Sequence, residues 1–230
     1  MDDEVPTDLF INYSFDVKLI RAIANVLVPT ELSITCSIER EETATDDEVE
    51  LTLTKWRYWF ENIVSRCIVF DPTNAKAVAI LLDDNGAKQV GNIIMLAPDE
   101  PSDEIIGALF QAKMNALSGG KLSAVSVDVR SDNMLGLSFT LVGDHSTFLP
   151  ETVDEWLGSP SYFTTPWWTR NDGSCIDVLV SEDTDTSAAP PWAFSLDFLG
   201  RANAQGRHLS VARPTFNPTI IDGGKGDDDE

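Results

Sequence analysis

The stretch Pro101–Gly120, PSDEIIGALFQAKMNALSGG, decides how the chain is read. Pro101 and Ser102 open it, Asp103 and Glu104 suit the positive end of a helix, and Gly119-Gly120 close it. Ile105, Ile106, Leu109, Phe110, Met114 and Leu117 recur at three- and four-residue spacing. That period predicts a helix over Asp103–Ser118 with one buried stripe. On either side the pattern changes to that of strands. Ala77–Leu82 and Val90–Leu96 precede the helix, joined around Asp84-Asn85-Gly86, a strong short hairpin signal. Leu122–Val129 and Leu135–Val142 follow it, linked by Ser131-Asp132-Asn133. A ββαββ order with short links predicts an α+β fold: an antiparallel sheet with two or three helices packed on one face.

Toward the N-terminus, Leu9–Phe15 reads as a strand, and Val17, Leu19, Ile20, Ile23, Ala24 and Leu27 fit a helix stopped at Pro29. Leu32–Ile38 and Val49–Thr54 both alternate apolar with polar residues, which predicts a hairpin across the acidic loop 39–48. A second reading competes for the latter segment. Thr45-x-x-Glu48 is a capping-box pattern, and Val49, Leu53, Trp56, Phe60, Ile63 and Cys67 also trace a helix seam. The β-branched Thr52 and Thr54 favour a strand, followed by a helix over about Lys55 to Arg66. Asp8–Asp16, DLFINYSFD, resembles the opening strand of a Toll/interleukin-receptor domain over about nine residues. That family continues with alternating parallel strands and helices, where hairpins are expected here, and no catalytic glutamate can be matched. The resemblance is therefore set aside.

Beyond Gly143 the periodicity fades and Pro160, Pro166-Trp167-Trp168 and Pro190-Pro191-Trp192 appear. One strand, Cys175–Val180, and an exposed loop, Ser181–Ala189, are expected there. The organisation expected is a flexible acidic N-terminus over 1–7, an α+β core over 8–143, an irregular Pro/Trp-rich and acidic arm over 144–219, and a flexible acidic tail over 220–230.

Charge narrows the function. The 230 residues hold 38 acids against 16 bases, a net −22. The excess is concentrated: residues 1–50 carry 13 acids and 3 bases, and residues 151–200 carry 9 and 1. Such a field repels phosphate backbones and anionic lipid and attracts basic protein faces, so neither direct nucleic-acid binding nor membrane association is expected. Cys36, Cys67 and Cys175 form no CxxC pair and follow no secretory leader, which predicts buried thiols in a reduced, cytoplasmic setting, or in a virion if the source is viral.

Catalytic patterns are thin. The two histidines, His145 and His208, sit in turn-like surroundings; Asp144-His145-Ser146 are adjacent, whereas a relay needs groups that converge in space. Asp83-Asp84-Asn85-Gly86 lacks the distal glutamate of a calcium loop. Glu182, Asp183 and Asp185 read as a solvated loop, and Asp128-x-Arg130 as the solvent face of a strand. No cofactor or metal is expected. Aromatic residues crowd the acidic arm instead, and Tyr162, Phe163, Trp167, Trp168 and Trp192 are the candidate partner-binding residues. The function expected is non-enzymatic: a protein-interaction or assembly protein, such as a viral or phage structural or accessory protein, binding a basic protein partner or its own copies. An acidic mimic of DNA, or an acidic-tailed accessory protein of nucleic-acid metabolism, that binds the basic groove of a DNA-binding enzyme is the first alternative, and a hydrolase using carboxylates or a metal the second.

Overall fold

The computed structural model describes residues 11–24, 26–74, 76, 93–134, 136–143, 148–157, 164–175 and 177. Strands β1 (Ile11–Ile23), β2 (Val26–Arg40), β3 (Cys67–Phe70), β4 (Ile93–Leu96), β5 (Leu122–Ser131) and β6 (Phe139–Val142) form one sheet in the order β4-β3-β1-β2-β5-β6. Helices α1 (Asp46–Asn62), α2 (Asp103–Ser118) and the short α3 (Val153–Leu157) complete an α+β fold.

The β1–β2 hairpin is the sheet's backbone. Its register runs unbroken from Ile11↔Ile38 to Ile23↔Val26, leaving a two-residue turn in which Ala24 adopts a left-handed φ of 49°. The helix expected over 17–27 is therefore absent. Val17, Leu19 and Arg21 point to one side and Asp16, Lys18 and Ile20 to the other, so the working period is two. Arg21 disguises that period, because a charge stands where the core side needs a buried residue. It is only 3% exposed: its Nη1 meets Asp103 Oδ1 at 2.5 Å, its Nε donates to Thr30 Oγ1, and Nη1 also reaches the Pro101 carbonyl. This buried ion pair fastens the first turn of α2 to the sheet.

The second correction concerns residues 49–54, which are helical. Thr45 caps α1 by accepting from the Glu48 N–H, while the Glu48 carboxylate accepts from the Thr45 N–H. Thr52 closes its hydroxyl onto the Glu48 carbonyl at 2.8 Å, which satisfies it inside a helix. With β2 followed by a helix and not by a hairpin partner, the chain returns beside β1 in the same direction. Accordingly β1–β3 and β3–β4 pair in parallel, whereas β1–β2, β2–β5 and β5–β6 are antiparallel. The sheet is mixed, not wholly antiparallel. Of the expected 77–82/90–96 hairpin, only Ile93–Leu96 is described; the rest lies outside the described residues.

Helix α2 matches its expected bounds. Ser102 Oγ accepts from the Ile105 N–H, and Gly119 ends the helix in the left-handed region at φ 57°. A register shift in β5 opposite Ser37 and Ile38 moves its alternation by one residue, so that Leu122 and Ala124, and then Val127 and Val129, all turn onto the helices. The opposite face of the four antiparallel strands β1, β2, β5 and β6 is polar. There Ser14 bonds Thr35, Ser33 donates to Asp16, Thr140 donates to Asp128, and Lys18 pairs with Glu31. The contact between α2 and β5–β6 is closest at Gly107, where a Cβ would lie 2.6 Å from Leu141 Cδ1 and 3.1 Å from Val129 Cγ2. Gly107→Val is expected to destabilise by about 1–3 kcal/mol through overpacking. Gly107→Ala should be near neutral, since the end of Leu141 can yield and alanine gains up to ~1 kcal/mol of helix propensity. Urea unfolding of the two variants separates these outcomes.

Candidate functional site

Among the described residues two places gather side chains with chemistry: a buried charged cluster under the tryptophans, and an acidic pocket at the end of α2. The first is built on a line of aromatic rings. Phe15 packs on Phe60, Phe60 on Phe110, Phe110 on Trp59, Trp59 on Trp167, Trp167 on Trp168, and Trp168 on Trp156. Trp167 and Trp168 are 0% and 1% exposed. The two rings expected to meet a partner are thus core residues in this structure, joining the 164–177 segment to α1 and α2. Trp167 Nε1 donates to the Leu96 carbonyl at 2.8 Å, which directs the ring inward. Tyr162, Phe163 and Trp192 lie outside the described residues, as do His145, His208, Asp83–Gly86, and Glu182, Asp183 and Asp185. Asp128 and Arg130 stay on the polar sheet face.

Beneath Trp167 lies Lys113, fully buried on α2. Its Nζ donates to the carbonyls of Trp167 and Arg170, each at 2.8 Å, stands 3.6 Å from Asp172, and sits 5.8 Å from the Trp167 ring. Arg170 in turn donates to Asp177 Oδ1 at 2.5 Å and to Ser174 Oγ. Asp177, buried, also accepts from the Trp167 N–H. Every one of these bonds ties the 164–177 segment to itself or to α2. Among the described residues the amine's partners are these carbonyls, the Asp172 carboxylate and the Trp167 ring, so the cluster acts as a clamp. The sequence does carry a signal for it. Lys113 stands on the buried stripe, between Leu109 and Leu117, where a charge needs partners.

Burial lowers the Lys113 pKa to about 7, with Asp172 opposing the fall and Arg170 adding to it. Burial likewise raises that of Asp177, against the pull of Arg170.

The second place lies where β2, the 41–45 loop, the end of α2 and the start of β5 meet. Glu39, Glu41 and Glu42 rim a pocket of about 540 Å³ that also includes Asn115, Ser118 and Gly120. All three glutamates are exposed, and none makes an ion pair among the described residues. The nearby cations are already engaged. Arg40 holds Asp46 at 2.7 Å, and Lys121 holds Glu48 at 2.8 Å. Lys121, and then the Thr45 N–H, keep the Glu48 carboxyl well below its ordinary range. The last turn of α2 holds no basic residue, so its carbonyl end adds to the negative potential. Sequence reading saw the acidic loop but not that the helix end converges on it.

Among the described residues no group of three or more His, Cys, Asp or Glu could hold a metal ion. None of their helices is long and apolar enough to cross a membrane. No protein-family model matches the chain. Over 142 residues it is 25% identical to a Rickettsia felis protein named "Putative surface cell antigen sca2"; the match covers 62% of this chain and 8% of that protein.

The Lys113 clamp predicts a pH dependence. Unfolded, the lysine keeps its proton up to its ordinary 10.5, whereas folded it releases it at about 7. Between those values the unfolded chain binds more protons, so this group makes stability rise with pH, by up to ~1.4 kcal/mol per unit. Urea unfolding across that window should show a shallower rise for Lys113→Met than for the wild type. Equal slopes would contradict the assignment.

Proposed function

We propose that the protein is a non-enzymatic interaction module that docks a basic protein surface at the acidic end formed by β2, the 41–45 loop and α2. The observation that carries this reading is the set Glu39, Glu41 and Glu42, exposed and without ion pairs among the described residues, around the α2 carbonyl end. Charges left uncompensated at a pocket rim contribute to association with an oppositely charged surface, chiefly by steering encounter. The net charge of −22 acts in the same sense over longer range. A basic groove of a DNA-binding enzyme is one surface of this kind, and a basic face on an assembly subunit is another. Trp167 and Trp168 are buried in the core, so the contact assigned here falls to the pocket rim.

The test is titration of the full-length protein with a lysine- and arginine-rich peptide by calorimetry at several salt concentrations. Combined Glu39→Lys, Glu41→Lys and Glu42→Lys should weaken binding roughly tenfold or more, about 1.4 kcal/mol, and flatten its salt dependence. Asp154→Lys, on the exposed side of α3, is the control and should change little. Equal affinity for the triple variant and the wild type would overturn the proposal.

A further inference from the structure

The acidic pocket continues along the molecule. A second pocket of about 430 Å³ adjoins it, and Asn115 and Ser123 line both. Helix α2 and strand β5 leave the turn at Gly119-Gly120-Lys121 side by side, joined by side chains of the helix that bond the Ala124 main chain. Away from that turn the lining passes from Ser118 and Leu122 in the acidic pocket to Ala112, Ala116, Ala124 and Val125 in the second. The two are halves of one groove. They differ in what they offer. Exposed carboxylates of Glu39, Glu41 and Glu42 stand at the first. Among the described residues no charged side chain lines the second, and its polar groups are engaged within the fold. Gln111 Nε2 donates to the Ala124 and Gly143 carbonyls at 2.9 and 2.7 Å. The Ala124 N–H donates to Asn115 Oδ1 at 2.7 Å, and the Gly143 N–H to the Val125 carbonyl at 2.8 Å. Thr169, also on the lining, turns its hydroxyl onto the Pro166 carbonyl. The second half therefore presents chiefly the methyl groups of the half-buried Ala112, Ala116 and Val125.

We propose that this groove takes an extended segment of the basic partner, with a lysine or arginine among Glu39, Glu41 and Glu42 and a branched aliphatic side chain between Ala112, Ala116 and Val125. The inference rests on the basic-partner reading above and adds a sequence pattern to it. The helix sets the spacing. Ala112 and Ser118, one in each half, are six residues apart on α2, a rise of about 9 Å. An extended chain covers about 10 Å in three residues, so the basic and aliphatic anchors stand three positions apart. The charged half attracts the segment and the neutral half discriminates. A threonine has nearly the shape of a valine, but in the neutral half its hydroxyl would lose water and meet polar groups that already have partners. The groove therefore selects valine over threonine at that position.

The experiment titrates the isotope-labelled full chain with capped peptides at low salt and follows amide chemical shifts. The probe is Val-Ser-Ser-Lys-Ser-Ser-Val, which offers a valine three positions from the lysine in either chain direction; its control carries threonine for both valines. The valine peptide should bind about tenfold tighter than the threonine peptide and should shift the Ala112 and Ala116 amides. Ala112→Gln combined with Ala116→Gln fills the neutral half with good helix formers. That variant should bind the threonine peptide as the wild type does and lose the preference for valine. Equal wild-type affinity for the two peptides would overturn the groove and leave the basic-partner reading standing, with Glu39→Lys, Glu41→Lys and Glu42→Lys together still weakening both. A valine preference that survives in the double glutamine variant would overturn it as well. If neither peptide binds the wild type, the basic-partner reading falls with it.

Discussion

The burial of one ammonium group organises much of this molecule. Lys113 sits in the middle of the apolar stripe of α2, where an unpaired charge would cost several kcal/mol. It is tolerated because the chain folds back and presents two carbonyls, Trp167 and Arg170, and the Asp172 carboxylate. Those carbonyls belong to the first residue of the tight turn Trp167–Thr169 and to Arg170, which caps it, and the turn's two tryptophans fill the space between α1, α2 and α3. The helix therefore dictates where the segment goes, and the segment completes the core that the helices alone leave open. Arg170 and Asp177 then neutralise each other inside the segment, so little net charge is left buried.

The parts legible in the sequence are those where several local signals agree. For α2, the Ser102 cap, the acidic first turn, the stripe and the Gly119 stop all point the same way, and its bounds follow. The α+β class and the β5–β6 hairpin follow from the periods beside it. Signals that disagreed locally were resolved by distant contacts. Residues 17–27 fit a helix because Arg21 breaks the alternation, and its partner Asp103 is invisible until the chain is folded. At residues 49–54 the threonines suggested a strand, but the reciprocal Thr45–Glu48 cap and the core positions of Trp56, Trp59 and Phe60 outweighed that preference. The parallel pairing of β3 and β4 is a consequence of that outcome, not an independent feature.

The same reasoning separates the two candidate sites. Tryptophans in a Pro-rich, acidic stretch suggested anchors for a partner, but the pattern cannot distinguish a ring that fills another molecule from one that fills its own core. Trp167 does the latter because its indole N–H finds Leu96 and its face finds Lys113. The acidic loop, by contrast, was visible as charge. Its setting at the carbonyl end of α2 depends on how β2 and β5 bring residues 39–42 and 115–123 together.

Leu96 makes one more point about the outer strand. Its N–H is taken by the Cys175 carbonyl and its own carbonyl by the Trp167 indole, so both groups that face away from β3 are occupied at the end of β4. A sheet margin left bare is a template on which another chain can add a strand, and proteins hide such margins to avoid self-templated aggregation. Among the described residues it is the 164–177 segment that covers this end of the border, so its attachment bears on solubility as much as on the integrity of the core.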